Sequence, residues 1–112
     1  MPLYIQCEPN SDFLNMNLSI STAVREKLAN KTPPVTESEI NQCFANRNRS
    51  ALIDTRADNM TNPLTRWFIA ETDFGRKLKV AYMPFTDKIV IKSAYDPNPV
   101  EQQIYNKVSV PL

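Results

Sequence analysis

Cleavage of RNA through its own 2′-hydroxyl needs a base for the hydroxyl proton, an acid for the leaving oxygen, and positive charge on the phosphate. This 112-residue chain holds candidates for each. Glu71 or Asp54 can serve as base, Tyr82 or Tyr95 as acid, and Arg56, Arg66, Arg76 or Lys92 as phosphate clamps. Several also have a purely structural reading: Glu71 as the cross-strand partner of a basic residue, Tyr82 and Trp67 as core. Arg56 and Arg66 flank the longest loop, where functional residues concentrate. Histidine is absent, which removes Ser-His-Asp and Cys-His catalysis and the usual general base near neutral pH. A zinc site would need ligands this chain lacks. Any such chemistry is therefore expected to run without metal or cofactor.

The formal net charge is only +1, too small for a protein that coats nucleic acid through bulk charge. The distribution is less even. Between Arg47 and Lys92 the cations, among them Lys77, Lys79 and Lys88, outnumber the anions Asp54, Asp58, Glu71, Asp73 and Asp87. That segment is compatible with a modest phosphate-facing surface, or with a solvated sheet face rich in Lys and Arg.

These residues must be positioned by a single domain, since 112 residues support one core and not two. Residues 1–18 lack a sustained period and carry Pro2 and Pro9, predicting an extended arm with an edge strand near Leu3–Gln6. The domain is expected over 19–112. Ser21 or Thr22 opens a helix to about Asn30, its apolar face marked by Ile20, Val24 and Leu28. Thr36 and Glu39 form a capping box with Val35 and Ile40 as staple, so a second helix runs from Glu37 to about Ala45. Its buried stripe is Ile40, Cys43 and Phe44, which makes Cys43 a buried free thiol.

Leu52 and Ile53 suggest a short strand, and Thr55–Thr65 a loop. Alternation over Arg66–Thr72, with both faces apolar, reads as a central strand. A hairpin follows at Asp73-Phe74-Gly75-Arg76, where Gly75 can take a positive φ. The strand Lys77–Met83 puts Leu78, Val80 and Tyr82 inward and Lys77 and Lys79 outward, and Lys88–Ala94 pairs with it. Asn98, Pro99 and Glu101 start a last helix whose stripe is Val100, Ile104 and Val108. The expected fold is α+β: an antiparallel sheet of three to four strands with two N-terminal helices and one C-terminal helix packed on one face.

The helix pair with VTESEI, the hairpin FIAETDFGRKLKVAYM, the strand IVIKSAY and a terminal helix holding Glu101 and Tyr105 together resemble the BrnT-type toxins of bacterial toxin-antitoxin modules. The likeness runs from about Val24 to Tyr105 and rests mainly on element order and hydrophobic pattern. Those proteins belong to the RelE-like superfamily, small ribonucleases that work with arginine, lysine and tyrosine and are neutralised by an antitoxin. The resemblance implies a metal-independent ribonuclease and matches its motifs at Gly75-Arg76, Glu101 and Tyr105; the chemistry set out above gives Arg56, Arg66, Glu71, Arg76 and Tyr95 as its catalytic candidates. Phe74, Lys77, Lys79, Phe85 and Lys92 are then candidates for contacting RNA or a partner. Two motif positions differ: Tyr95 stands where the family usually has arginine, and Lys31-Thr32-Pro33 where it has Lys-His-Gly.

A rival reading is a protein that does no chemistry, an immunity protein or antitoxin that shields a partner nuclease. It would need anchoring aromatics, for which Phe74, Phe85 and Tyr95 are candidates. No apolar run reaches the length of a membrane span and the N-terminus lacks a secretory pattern, so a cytoplasmic location is expected.

Overall fold

The computed structural model describes residues 17–55 and 61–112 together with the backbone of 4–6. Six strands, β1 (Tyr4–Gln6), β2 (Asn17–Ser19), β3 (Leu52–Asp54), β4 (Arg66–Glu71), β5 (Lys77–Pro84) and β6 (Lys88–Tyr95), form one sheet in the order β1-β3-β4-β5-β6-β2. Among the described residues there are also three helices: α1 (Thr22–Ala29), α2 (Glu37–Asn46) and α3 (Pro99–Val108). The α+β class and the central position of β4 match expectation. The strand count and the all-antiparallel sheet do not. β2 adds to the outer edge of β6 in parallel, pairing Leu18 with Ile89, a contact made by three residues with no local pattern to announce it.

Both capping boxes form. The Thr36 hydroxyl accepts from the Glu39 N–H while the Glu39 carboxylate accepts from the Thr36 N–H, and Asn98 and Glu101 repeat the arrangement at α3. The β4–β5 hairpin closes on Gly75, whose φ of 87° no L residue adopts cheaply.

The helices lie on both faces of the sheet, not on one. Neighbouring residues of a strand point to opposite faces, and Phe68 packs edge-on against Phe44 of α2, whereas Trp67 lies 5.6 Å from Tyr105 of α3. The α2 side is the larger core, with Phe68, Leu78, Val80, Tyr82, Ile89 and Ile91 all fully buried. On the other side α3 is rotated from its expected stripe: Tyr105 is buried and Val100 is 61% exposed, because the helix seats its phenol ring on Trp67. This second layer also corrects the reading of Lys79. It points away from the α2 core as alternation demands, yet only 5% of it is exposed because α3 covers it.

Cys43 is on the buried face of α2 with its thiol donating to the Ala70 carbonyl at 3.6 Å, and burial, helped by the charge of Glu39, pushes its pKa up to about 12. A thiolate is the reactive species. A Cys7→Ser variant should therefore show no reaction between Cys43 and a disulfide reagent at neutral pH until denaturant unfolds it; labelling in the native state would place Cys43 at the surface.

Candidate functional site

The sequence-derived catalytic set is not brought together. Arg76, just before β5, is engaged within the protein: its Nε donates to Asp96 (3.0 Å), one terminal nitrogen to Glu39 (3.2 Å) and the Pro34 carbonyl (2.6 Å), and the other to the Pro33 carbonyl (2.9 Å) while lying in ion-pair contact with Asp96. Two carboxylates and two carbonyls thus take four of its five guanidinium hydrogens and neutralise its charge, which leaves little for a phosphate. Glu71 lies at the far end of β4, opposite Lys77 in register, the cross-strand position foreseen for it. By alternation Arg66 falls on the α2 side of the sheet. Tyr82 is fully buried between Phe44 and Phe68 and belongs to the core. Arg56 lies outside the described residues.

Glu71 and Lys77 do share a cavity of about 270 Å³ at the outer edge of β4 with Asn46, Arg49 and Gln102. Its polar groups hold the protein together: Arg49 donates to Ser109 Oγ at 2.8 Å and to the Ser109 carbonyl at 2.6 Å, Asn46 to the Glu71 carbonyl and to Asp73, and Lys77 to Gln102. The aromatics proposed as anchors form no common patch. Phe74 is 94% exposed at the β4–β5 turn, and Phe85 caps the β5–β6 turn at the opposite end of the sheet, beneath Lys88 at 5.6 Å.

A different constellation forms on the α3 side. Asp54, Thr65, Lys79, Ala81, Lys92, Ser93 and Tyr95 line a polar cavity of about 210 Å³ over β3, β5 and β6. Three structural causes bring them there. Asp54 ends β3, its N–H held by the Thr65 carbonyl at 2.9 Å. Lys92 follows Ile91 of the α2 core and faces the α3 side by alternation, and a one-residue bulge beside it, where Ala81 pairs with Ser93 but Tyr82 pairs with Ile91, keeps Ser93 and Tyr95 on that same face. Tyr95 closes β6 directly opposite Lys79.

Lys79, Tyr95 and Glu101 of α3 form a largely buried network. The Lys79 ammonium donates to the Glu101 carboxylate at 2.8 Å and to the Tyr95 hydroxyl at 3.1 Å, and that hydroxyl donates to the same carboxylate oxygen at 2.5 Å. Lys79 also lies 4.5 Å over the Trp67 ring, and a second cation, Lys31, stands 5.5 Å from the Tyr95 ring. Burial raises the pKa of Glu101, but hydrogen bonds from Lys79, Tyr95 and the Asn98 N–H outweigh it and hold the carboxyl below its usual range. Glu101 is thus an anion here.

Of the candidates read from sequence, Asp54, Tyr95, Lys79 and Lys92 therefore share one site. Glu101 was legible only as a helix-capping residue; its second oxygen is committed to the site by a tertiary contact that spacing does not reveal. Among the described residues no cluster of acidic or cysteine side chains is arranged to hold a metal ion, and no helix is long and apolar enough to cross a membrane. The fold and site define an α+β domain with a lysine-, tyrosine- and carboxylate-lined cavity on one sheet face. No family model, curated protein or solved structure matches this chain.

Proposed function

We propose that the protein is a toxin-type, metal-independent ribonuclease of a toxin-antitoxin module, with its site in the Asp54–Lys92–Tyr95 cavity. One observation carries the reading: a carboxylate, a phenol and two ammonium groups, three different chemistries from three strands, converge on a single cavity with room for a phosphodiester and its ribose. Asp54 takes the proton of the 2′-hydroxyl. The 2′-oxygen then forms a bond to phosphorus as the bond to the 5′-oxygen breaks, and Tyr95 gives its proton to that departing oxygen. Lys92 holds the phosphate, and Lys79 stabilises the phenolate left on Tyr95. The products are a 2′,3′-cyclic phosphate and a 5′-hydroxyl.

Purified protein incubated with single-stranded RNA should yield cyclic-phosphate ends. Asp54→Asn and Tyr95→Phe should each slow the cut by about 10²- to 10⁴-fold, the range for a positioned base or acid. Absence of cleavage by the parent, or equal cleavage by both variants, would defeat the assignment.

The second reading, a non-enzymatic immunity protein or antitoxin, draws on Phe74. Its turn is locked by the Thr72 hydroxyl, which accepts from the Phe74 and Arg76 N–H groups, and by Gln42, which accepts from the Asp73 N–H at 2.9 Å. A rigid, fully exposed aromatic suits a protein partner. Expression alone separates the two readings: growth arrest marks the toxin, and harmless expression marks the neutralising partner.

A further inference from the structure

The Lys79 ammonium poses a chemical problem for the proposed site. A cation beside a phenol favours phenolate, and a phenolate has no proton to give. Glu101 answers it from α3. One of its oxygens accepts from the Asn98 N–H at 3.0 Å, which fixes the carboxylate to the first turn of the helix. The other oxygen takes hydrogen bonds from both Lys79 and Tyr95. That geometry stabilises the neutral phenol twice: the hydrogen bond exists only while Tyr95 carries its proton, and the negative charge opposes formation of a second anion at 2.5 Å.

We infer that Glu101 is a positioning residue that keeps Tyr95 protonated and aimed, against the pull of Lys79, so that the phenol can serve as the proton donor. This rests on the ribonuclease reading of the same cavity. In the reaction the hydroxyl hydrogen rotates about the phenol C–O bond from Glu101 toward the departing 5′-oxygen and is transferred to it. The phenolate, held by Lys79, regains a proton from water. The other charged groups facing this pair are Lys31 above the Tyr95 ring and Asp54 and Lys92 across the cavity. They are unchanged in the variants below, so a shift reports on Glu101 and Lys79.

The test is a titration of phenolate absorbance in the full chain, with Tyr95→Phe identifying the step that belongs to Tyr95. In Glu101→Gln that step should move to lower pH, because Lys79 then acts unopposed. In Lys79→Met it should move to higher pH. Glu101→Asp withdraws the carboxylate by one methylene and should move the step in the same direction as Glu101→Gln but less, which keeps the inference testable if the glutamine variant folds poorly. In RNA cleavage the alkaline limb of the Glu101→Gln profile should fall at correspondingly lower pH, about tenfold in rate for each unit the limb moves. An unmoved or rising Tyr95 step in both Glu101 variants overturns the inference, even if the parent cuts RNA. A shifted step in a protein that does not cut RNA upholds the role of Glu101 toward Tyr95 and overturns the ribonuclease reading instead.

Discussion

Arg76→Ala should lower the unfolding free energy by about 2–4 kcal/mol, the scale of breaking a largely buried ion pair and leaving its partners uncompensated. Arg76 and Glu39 are 19% and 23% exposed at the side chain, and the guanidinium also caps the carbonyls of Pro33 and Pro34. Those contacts tie the α1–α2 connection, the start of α2 and the end of β6 to one point. Lysine cannot replace them, since a single ammonium lacks the planar fork, so Arg76→Lys should recover less than half of the loss. Urea unfolding checks both variants.

The same clasp has a pH signature. Burial raises the pKa of Glu39, but hydrogen bonds from the Thr36 N–H and from Arg76, with the attraction of the guanidinium, bring it below the usual carboxylate value. A depressed folded value means stability that is present above the unfolded pKa and is lost as pH falls through the folded one. The parent should therefore lose more stability on acidification than Arg76→Ala does. If Arg76→Ala kept parental stability and lost only RNA cleavage, Arg76 would be a phosphate clamp after all.

Arg76 also shows how far the sequence could be read. Capping boxes at Thr36–Glu39 and Asn98–Glu101, alternation along Arg66–Glu71 and the lone glycine of the hairpin are local signals, and local hydrogen bonding decides them. Signals of this kind located the three helices and five of the six described strands, β2 excepted. What an arginine touches after folding is decided by residues such as Pro33, more than forty positions away, and no spacing carries that. Lys79 failed for the same reason. Alternation correctly turned it away from the α2 core but said nothing of α3 arriving above it. Tyr95 shares a face with Lys92 only through a bulge, one residue of slippage between β5 and β6 that leaves no mark in composition. The site was thus visible as residue types, Asp54, Tyr95 and Lys92 among them, and invisible as an arrangement.

The Lys79–Glu101 pair offers the sharpest separation of fold from chemistry. Its side chains are 7% and 17% exposed, so each charge has been taken largely out of water and relies on the other. Lys79→Met leaves the Glu101 anion with only Tyr95 and the Asn98 N–H. Glu101→Gln leaves the ammonium with the Trp67 face and the phenol oxygen. Each single change should cost about 3 kcal/mol, near the lower end for breaking a buried pair. The double variant removes both charges together, and methionine fills the volume of the lysine stem against Trp67. Its cost should fall short of the sum of the two singles by about 2 kcal/mol, within the coupling range of contacting residues. Urea unfolding of all four proteins measures that coupling; strictly additive losses would mean the ammonium and carboxylate do not depend on each other. The double variant should then be folded and yet, on the ribonuclease proposal, cleave RNA far more slowly than the parent, because a phenolate formed at Tyr95 would have lost its stabilising cation. A double variant that is both stable and fully active would show that the pair only docks α3 onto the sheet, and the chemistry would have to be sought in Asp54 and Lys92 without it.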